Sequence, residues 1–461
     1  MEPVMFELGR ELKRFFSTEK MRTPSDGLTG GDSSLLELLD AKLLAQEAKA
    51  ADIAAGRIGA KDKPARRLEA AIVWREVARR TGDPVALRKA AAGAETAAAG
   101  FDANHRRDGW ARARCEQAFC ALLGAEIFGD AGLSAAAEVA FNEARSSVKG
   151  GLAAPLADIG LAAIEGRRIL EMSDAAEARA WSARLNAPIA ALDTIAKRVP
   201  AARALAAECR LIRADLLTVW GSRLKDGDLL DLAARDASDA AARLDSAYEP
   251  LTWVRAKVAH GQALAARGEA VGDVDSLAAG AGALALALDN LTRDHSPLDW
   301  ARTQVALAQA LQALGEAASD ARAFEHAVSC FDRASLVLKE TQTLPLRGVA
   351  ASSRAVCLAR VAEITGDGAV LDVAEAAMKI ELGKLSPRRD PVGWALAQLH
   401  LARMYEARLG MTGVDRGERA AALMALDAAL DVFGEHGLRS ASVLANDAMD
   451  RLRDRSDRTV R

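Results

Sequence analysis

The chain has 461 residues, a net charge of −3 and a pI near 6.2, so it lacks the basic surplus that non-specific nucleic-acid binding needs. Half of it is hydrophobic but only 4% is aromatic, with alanine, the strongest helix former, supplying much of the apolar content. Val and Ile are sparse, no stretch alternates apolar with polar, and the longest apolar run, around Ala279 to Leu288, is too short to cross a bilayer; these features predict an all-α protein.

At the amino terminus, Glu2 and Glu7 stand where a signal peptide would be basic, and no uninterrupted apolar region follows. The expected location is the cytoplasm. Within residues 1–20, Val4, Leu8, Leu12 and Phe16 form an i, i+4 stripe joined by Met5 and Phe15, with Arg10, Lys13 and Arg14 on other faces. Such a short basic amphipathic helix has three readings: it folds back or stays unstructured, it enters a partner's groove, or it lies on the inner membrane. Its contact residues in the last two readings are Met5, Leu8, Leu12, Phe15 and Phe16. Residues 21–33, rich in Gly, Ser, Thr and Asp, read as a flexible linker. Over residues 34–63, Ser34 and Glu37 have capping-box spacing ahead of Leu35, Leu36, Leu38, Leu39, Leu43 and Leu44. This leucine cluster is expected to cap the first repeat, with dimerisation as the alternative.

Residues 64–438 are periodic. Pro155, Pro200, Pro250, Pro297, Pro345 and Pro391 recur at intervals of 45 to 50 residues, and Trp253, Trp300 and Trp394 each follow a proline by three positions. Even punctuation of this kind marks a stack of two-helix units, each covering the next because one hairpin cannot bury both its apolar faces. In the unit opened by Pro297, helix A carries Leu307, Ala308, Leu311 and Leu314 and is expected to stop at Gly315. A loop through Asp320 follows, and helix B carries Phe324, Ala327, Phe331 and Ala334. About eight such pairs are expected, those from Pro155 and Pro200 being the most divergent. Residues 439–461 read as a capping helix with Val443, Leu444, Met449 and Leu452 facing inward.

The order Leu307, Ala308, Leu311, Gly315, then Ala327, Phe331, Ala334 resembles the tetratricopeptide repeat (TPR), in the long-repeat variety common in bacterial proteins. The departure is length, about 47 residues per unit, with some seven extra expected between the turn glycine and helix B. The resemblance implies an α-solenoid with a concave groove lined by helix A. The matching groove positions here are Arg112, Arg255, Gln262, Arg302, Gln309, Gln312, Arg360, Arg403 and Glu406. Family members that clamp a peptide's terminal carboxylate use Asn and Lys where this chain has Ala259, Ala306 and His400, which disfavours that ligand.

The residues form no catalytic constellation. The six histidines are dispersed, and His326 with Cys330 at i, i+4 supplies two ligands where a zinc site needs more. The five cysteines have no paired spacing and read as small core residues. Asp226, Asp228 and Asp231 sit at the start of a helix B, where capping favours acids. Acids also mark the turns inside hairpins (Asp83, Asp130, Asp174, Glu269, Asp273, Glu316, Asp320, Asp367). Bases mark the loops between them (Arg106, Arg107, Lys197, Arg198, Arg293, Lys384, Arg388, Arg389), as helix dipoles prefer, with a basic edge that docks an acidic partner as the alternative. The expected function is a non-enzymatic adaptor for a protein or peptide, with no cofactor, no metal and no nucleic acid. A membrane-tethered scaffold is the alternative, and a helical-repeat enzyme the weaker one.

Overall fold

The computed structural model describes residues 34–169, 174–198, 202–338, 345–388 and 390–459. The helix expected over residues 4–16, the linker 21–33, Pro200 and Arg389 lie outside these. Among the described residues every regular element is an α-helix. They fall into two compact units: one runs to Ala263 and includes Asp289–Leu298, and the other comprises Leu264–Leu288 and the chain from Asp299 onward.

The first unit opens with α1 (Ser34–Glu37) and α2 (Ala41–Gly56). Antiparallel pairs follow: α3 (Lys63–Thr81) with α4 (Pro84–Ala103), α5 (Arg107–Phe128) with α6 (Ala131–Ser147). Next come α7 (Ala153–Ile169), α8 (Ala175–Arg184), α9 (Asn186–Ala196), and the pair α10 (Ala202–Leu224) and α11 (Gly227–Ala242). The chain continues through α12 (Pro250–Val271), α13 (Val274–Asp289) and α14 (Pro297–Ala318). The second unit then holds α15 (Ala321–Ser335), α16 (Pro345–Thr365) with α17 (Gly368–Lys384), α18 (Pro391–Thr412) with α19 (Glu418–Glu435), and α20 (Arg439–Thr459). Helices adjacent in sequence pack against one another from α2 to α11 in the first unit and from α15 to α20 in the second, as a tandem helical repeat requires.

The turn between helices A and B follows one rule, which corrects the expectation that Gly315 stops helix A. Helix α14 runs on to Ala318, and Gly315 lies inside it against Phe324 of helix B. A Cβ there would stand 2.8 Å from the Phe324 ring, so glycine is required for close approach of the two helices. The chain turns four residues later, at Ser319, in the left-handed conformation. Asp320 follows: its amide donates back to the Gly315 carbonyl at 3.2 Å, closing helix A. Its carboxylate accepts from the Arg322 amide at 3.0 Å, capping helix B.

The same positions recur as Ala78, Gly82, Asp83 and Leu87; as Gly221, Lys225, Asp226 and Leu230; as Gly268, Gly272, Asp273 and Leu277; and as Ala362, Gly366, Asp367 and Leu371. Gly124 likewise lies within α5 against Leu133, and Gly410 within α18, which ends at Gly413. The extra length of these units therefore resides in longer helices, not in a longer turn. The aspartates of the turns are caps, and Asp226 does this for α11 while pairing with Arg179 at 2.8 Å.

Alanine lets these helices approach closely, with large residues spaced between. In the second unit Ala355, Ala359, Ala362, Ala374 and Ala397 pack with Leu371, Met378, Leu401 and Met404. At the carboxyl end, Ala445, Ala448, Met449 and Leu452 of α20 face Leu426, Ala429 and Phe433, with Trp394 packed alongside. Val443 and Leu444, expected inward, are each 58% exposed, because the buried stripe at helical spacing runs through 445, 448, 449 and 452. The divergent third repeat replaces its helix B by α8 and α9, which meet at Leu185. Trp181 of α8 is fully buried, donates to the Ala162 carbonyl at 2.7 Å, and meets Trp220 edge-on at 4.9 Å. All five cysteines are buried and unpaired, and burial pushes the Cys115 and Cys357 thiols up to about 12.

Candidate functional site

In the first unit the inner positions of helix A are charged, and the chain itself fills the space they face. Arg80 of α3 is fully buried. Its Nε donates to Glu76 at 2.8 Å, Nη1 to the Leu39 carbonyl at 2.6 Å and Nη2 to the Leu36 carbonyl at 2.8 Å. The His295 ring, its pKa lowered by burial, donates from Nε2 to the Glu37 carbonyl at 2.6 Å. The Asp294 carbonyl accepts from the Ala41 amide at 3.1 Å. Four main-chain groups of residues 36–41 are thus held by the surrounding unit.

Glu37 is the side-chain anchor of this segment. It is only 3% exposed, and its carboxylate accepts from the Thr252 amide at 2.9 Å and the Thr252 hydroxyl at 2.5 Å. Burial pushes its carboxyl up to about 7, against the pull of Arg255 and the bonds from Thr252. The Glu37 carboxylate is thus engaged at long range and not at the start of its own helix. The helix breaks after Glu37, Asp40 caps α2 by accepting from the Leu43 amide at 2.7 Å, and Glu37 serves a long-range contact instead. The physical reason is that Asp40 is itself a cap, placed directly before a good helical run. Leu36 and Leu44 are buried on either side, and α2 packs along α3, where Asp52 accepts from the Trp74 indole at 2.8 Å.

Arg255 does not face open space. It lies 3.4 Å from Glu76 and 3.8 Å from Glu208, which Arg79 also engages. Burial alone would raise the Glu76 carboxyl, but Arg255, Arg80 and Arg79 hold it well below the usual carboxylate range. Arg112 is buried too, its guanidinium pKa lowered by burial against the opposing charge of Glu116. Both arginines belong to the internal wall. Gln262 of α12 is exposed.

The second unit presents a different inner face. A cleft of about 700 Å³ is lined by Glu269, Leu277, Gln309, Gln312, Glu316 and Ser353 among others. It brings together two of the expected groove residues, Gln309 and Gln312. A third stands at its edge, since Arg360 lies 3.1 Å from Glu316 and also pairs with Glu363. Glu406 accepts from Arg451 of α20 at 2.8 and 3.0 Å, which ties it to the carboxyl-terminal helix. Arg302 and Arg403 are half-buried on α14 and α18. Sequence reading missed Glu37, Arg80, Thr252 and His295; they lie far apart along the chain, and no local pattern joins them.

Among the described residues no group of three His, Cys, Asp or Glu side chains converges as a metal site would, and no helix is long and apolar enough to cross a membrane.

No protein-family model matches the sequence, and no curated protein matches it. Among solved structures, a Rap protein complexed with competence and sporulation factor is 12% identical, the match covering 85% of this chain and 98% of that one, with a TM-score of 0.45. A circular tandem repeat protein with novel repeat topology is 16% identical over 87% and 98% of the two chains, with a TM-score of 0.27. The TPR domain of P58(IPK) is 16% identical over 89% and 98%, with a TM-score of 0.22. By its own consecutive helix pairs, small-residue contacts and recurring Asp-capped turns, the chain has the fold of a TPR-like tandem helical repeat.

Proposed function

We propose that the chain is a non-enzymatic adaptor that holds a peptide or partner protein against the inner faces of its A helices. The observation that supports this is the grip on residues 36–41: Arg80, His295 and Thr252 bind main-chain carbonyls and a carboxylate where the one-turn helix α1 ends and the chain turns into α2. These are the bonds that recognition of an extended or turning peptide uses. In the second unit the amides of Gln309 and Gln312, each both donor and acceptor, are suited to pair with a peptide main chain, and Arg302, Arg360, Arg403 and Glu406 would flank it. Arg112, Arg255 and Gln262 belong to the first unit, the first two as support for its wall. The arm with Met5, Leu8, Leu12, Phe15 and Phe16 would add a second contact.

The test is selection of displayed random peptides on the immobilised full chain, followed by affinity measurement for the selected sequences. Ala317→Arg places a long cation in the cleft. Selected peptides are expected to lose at least about tenfold in affinity, roughly 1.4 kcal/mol, against that variant. Peptides that bind it as they bind the parent chain would remove the cleft assignment, and a selection that enriches nothing would remove the adaptor reading.

A further inference from the structure

The segment at the inner face of the first unit, read as a bound ligand, defines a recognition site of its own. It consists of Leu36-Glu37-Leu38-Leu39-Asp40, entering from the one-turn helix α1 and leaving into α2. Its contacts are of two kinds. The carbonyls of Leu36, Glu37 and Leu39 accept from Arg80 and His295, and any peptide in the same conformation would satisfy those donors. Glu37 and Leu36 supply the sequence-dependent part: a carboxylate against the Thr252 amide and hydroxyl, with Arg255 nearby, and a buried leucine beside it.

The partners of the segment come from regions distant in sequence: α3, the start of α12 and the loop at Asp294–His295. A continuous repeat array needs none of these bonds for its hairpins to pack, because the hairpin turns are closed locally by their own Asp caps. The occupant is also held imperfectly. The Glu37 carboxylate is buried with the Thr252 amide and hydroxyl as hydrogen-bond donors, and of the two charges that act on it Arg255 attracts while Glu76 repels; Arg80, Asp40 and Arg255 act on the neighbouring His295.

We propose that this site is a receptor for an acidic, leucine-flanked turn of a partner protein, and that residues 36–40 gate it by occupying it in cis. The inference rests on the adaptor reading above and adds to it the chemistry of the partner and a means of control. A partner segment with a Leu-Glu core and a turn after it competes for Arg80, His295 and Thr252. When it binds, residues 36–40 leave, and α2 loses the anchor that precedes its first turn. Competition in cis lowers the apparent affinity for the partner by the fraction of time the site is open.

The experiment uses the full chain and a fluorescein-labelled peptide of residues 34–44, read by fluorescence polarisation. In the chain carrying Glu37→Lys, the introduced cation faces Arg255, cannot accept from the Thr252 amide and hydroxyl, and expels the segment. That chain is expected to bind the peptide at least tenfold more tightly than the parent. Thr252→Val added to it should return binding to the parent level or below, and a peptide with Glu37→Ala should not bind. Equal binding by parent and variant overturns the gate, and no binding by a folded variant overturns the receptor. A second measurement needs no variant: hydrogen exchange at residues 36–44 of the parent chain, with the same peptide in isotopically heavy form at saturating excess. Faster exchange supports displacement, and unchanged exchange overturns it. Failure here, with peptides still selected by the cleft of the second unit, removes the cis gate and leaves the adaptor reading standing; failure of both removes both.

Discussion

One stretch of helix A, read at equivalent positions in the two units, shows how a common frame carries two different inner faces. Aligned on the small residue that touches helix B, Arg75, Glu76, Arg79 and Arg80 of the first unit correspond to Gln312, Ala313, Glu316 and Ala317 of the second. The former set is buried or half-buried and linked by ion pairs, with Arg80 bonded to residues 36 and 39, Arg75 to Glu116 and Arg79 to Glu208. The latter lines an open cleft. The backbone around both is alike, down to the Asp that caps the next helix, Asp83 in one and Asp320 in the other. Side-chain length and charge at four positions therefore decide whether the inner face is filled or vacant. Long charged residues there cannot be left buried without partners, so the first unit needs a chain segment against them. Ala313 and Ala317 leave space instead, and Glu316, the one charge of the second set, is answered at the edge by Arg360.

The largest expected effect breaks this comparison at its centre. Arg80→Met removes the closest cation from the buried Glu76, leaving it only the longer contacts to Arg255 and Arg79, and takes the buried donor away from the Leu36 and Leu39 carbonyls. Breaking a buried charged group out of its network typically costs about 3–5 kcal/mol. At the matched position of the second unit, Ala317→Met adds an apolar side chain at an exposed edge and should change stability by less than about 0.5 kcal/mol. Chemical denaturation of both variants measures the difference. Comparable losses would mean that the two faces do not differ in this way.

Much of the fold is legible in the sequence alone. The proline period, the helical spacing of Leu307, Leu311, Phe324 and Phe331, and the choice of Asp320 at a turn all report local preferences, which sequence carries directly. Gly315 misleads because a glycine near a helix end has two uses, a left-handed cap and a close approach, and only the distance to Phe324 separates them. Ser319, the true left-handed residue, gives no signal, since serine carries no mark of that conformation. Register identifies Gln309 and Gln312 as inner-face residues, and the cleft does bring them together. Register places Arg255 on the same face, but it cannot show that Glu76 and Glu208, from two other helices, enclose it. Glu37 shows the limit most clearly. Its capping-box spacing with Ser34 is a local pattern, yet its carboxylate bonds Thr252, which is 215 residues away.

The turns offer a finer test, because the glycine of helix A meets different atoms in the two units. At Gly268 a Cβ would lie 2.6 Å from both the Asp273 carbonyl oxygen and the Leu277 nitrogen, atoms that cannot move without opening the turn. At Gly221 the main obstacle is the Leu230 side chain, at 2.5 Å, which has rotamers to use. Gly268→Ala should therefore fall at the upper end of the roughly 1–3 kcal/mol that overpacking costs, and Gly221→Ala at the lower end. The reverse order in denaturant midpoints would show that the close approach is not governed by these atoms.

The smallest effect is a gain. Lys225 in the first unit and Ser319 in the second hold φ of 53° and 51°, where Gly82, Gly272 and Gly366 stand in the equivalent turns. A side chain in this region crowds the neighbouring carbonyl, at a cost of about 1 kcal/mol that glycine avoids. Glycine also loosens the unfolded chain, which returns part of that gain. Lys225→Gly and Ser319→Gly should each stabilise the protein by about 0.5 kcal/mol, seen as a shifted denaturation midpoint with unchanged slope. Because the strain is a property of the backbone turn, the two gains should match even though one variant removes a charge and the other does not. A gain confined to Lys225→Gly would point to charge as the cause, and the turn would then no longer be a feature the two units share.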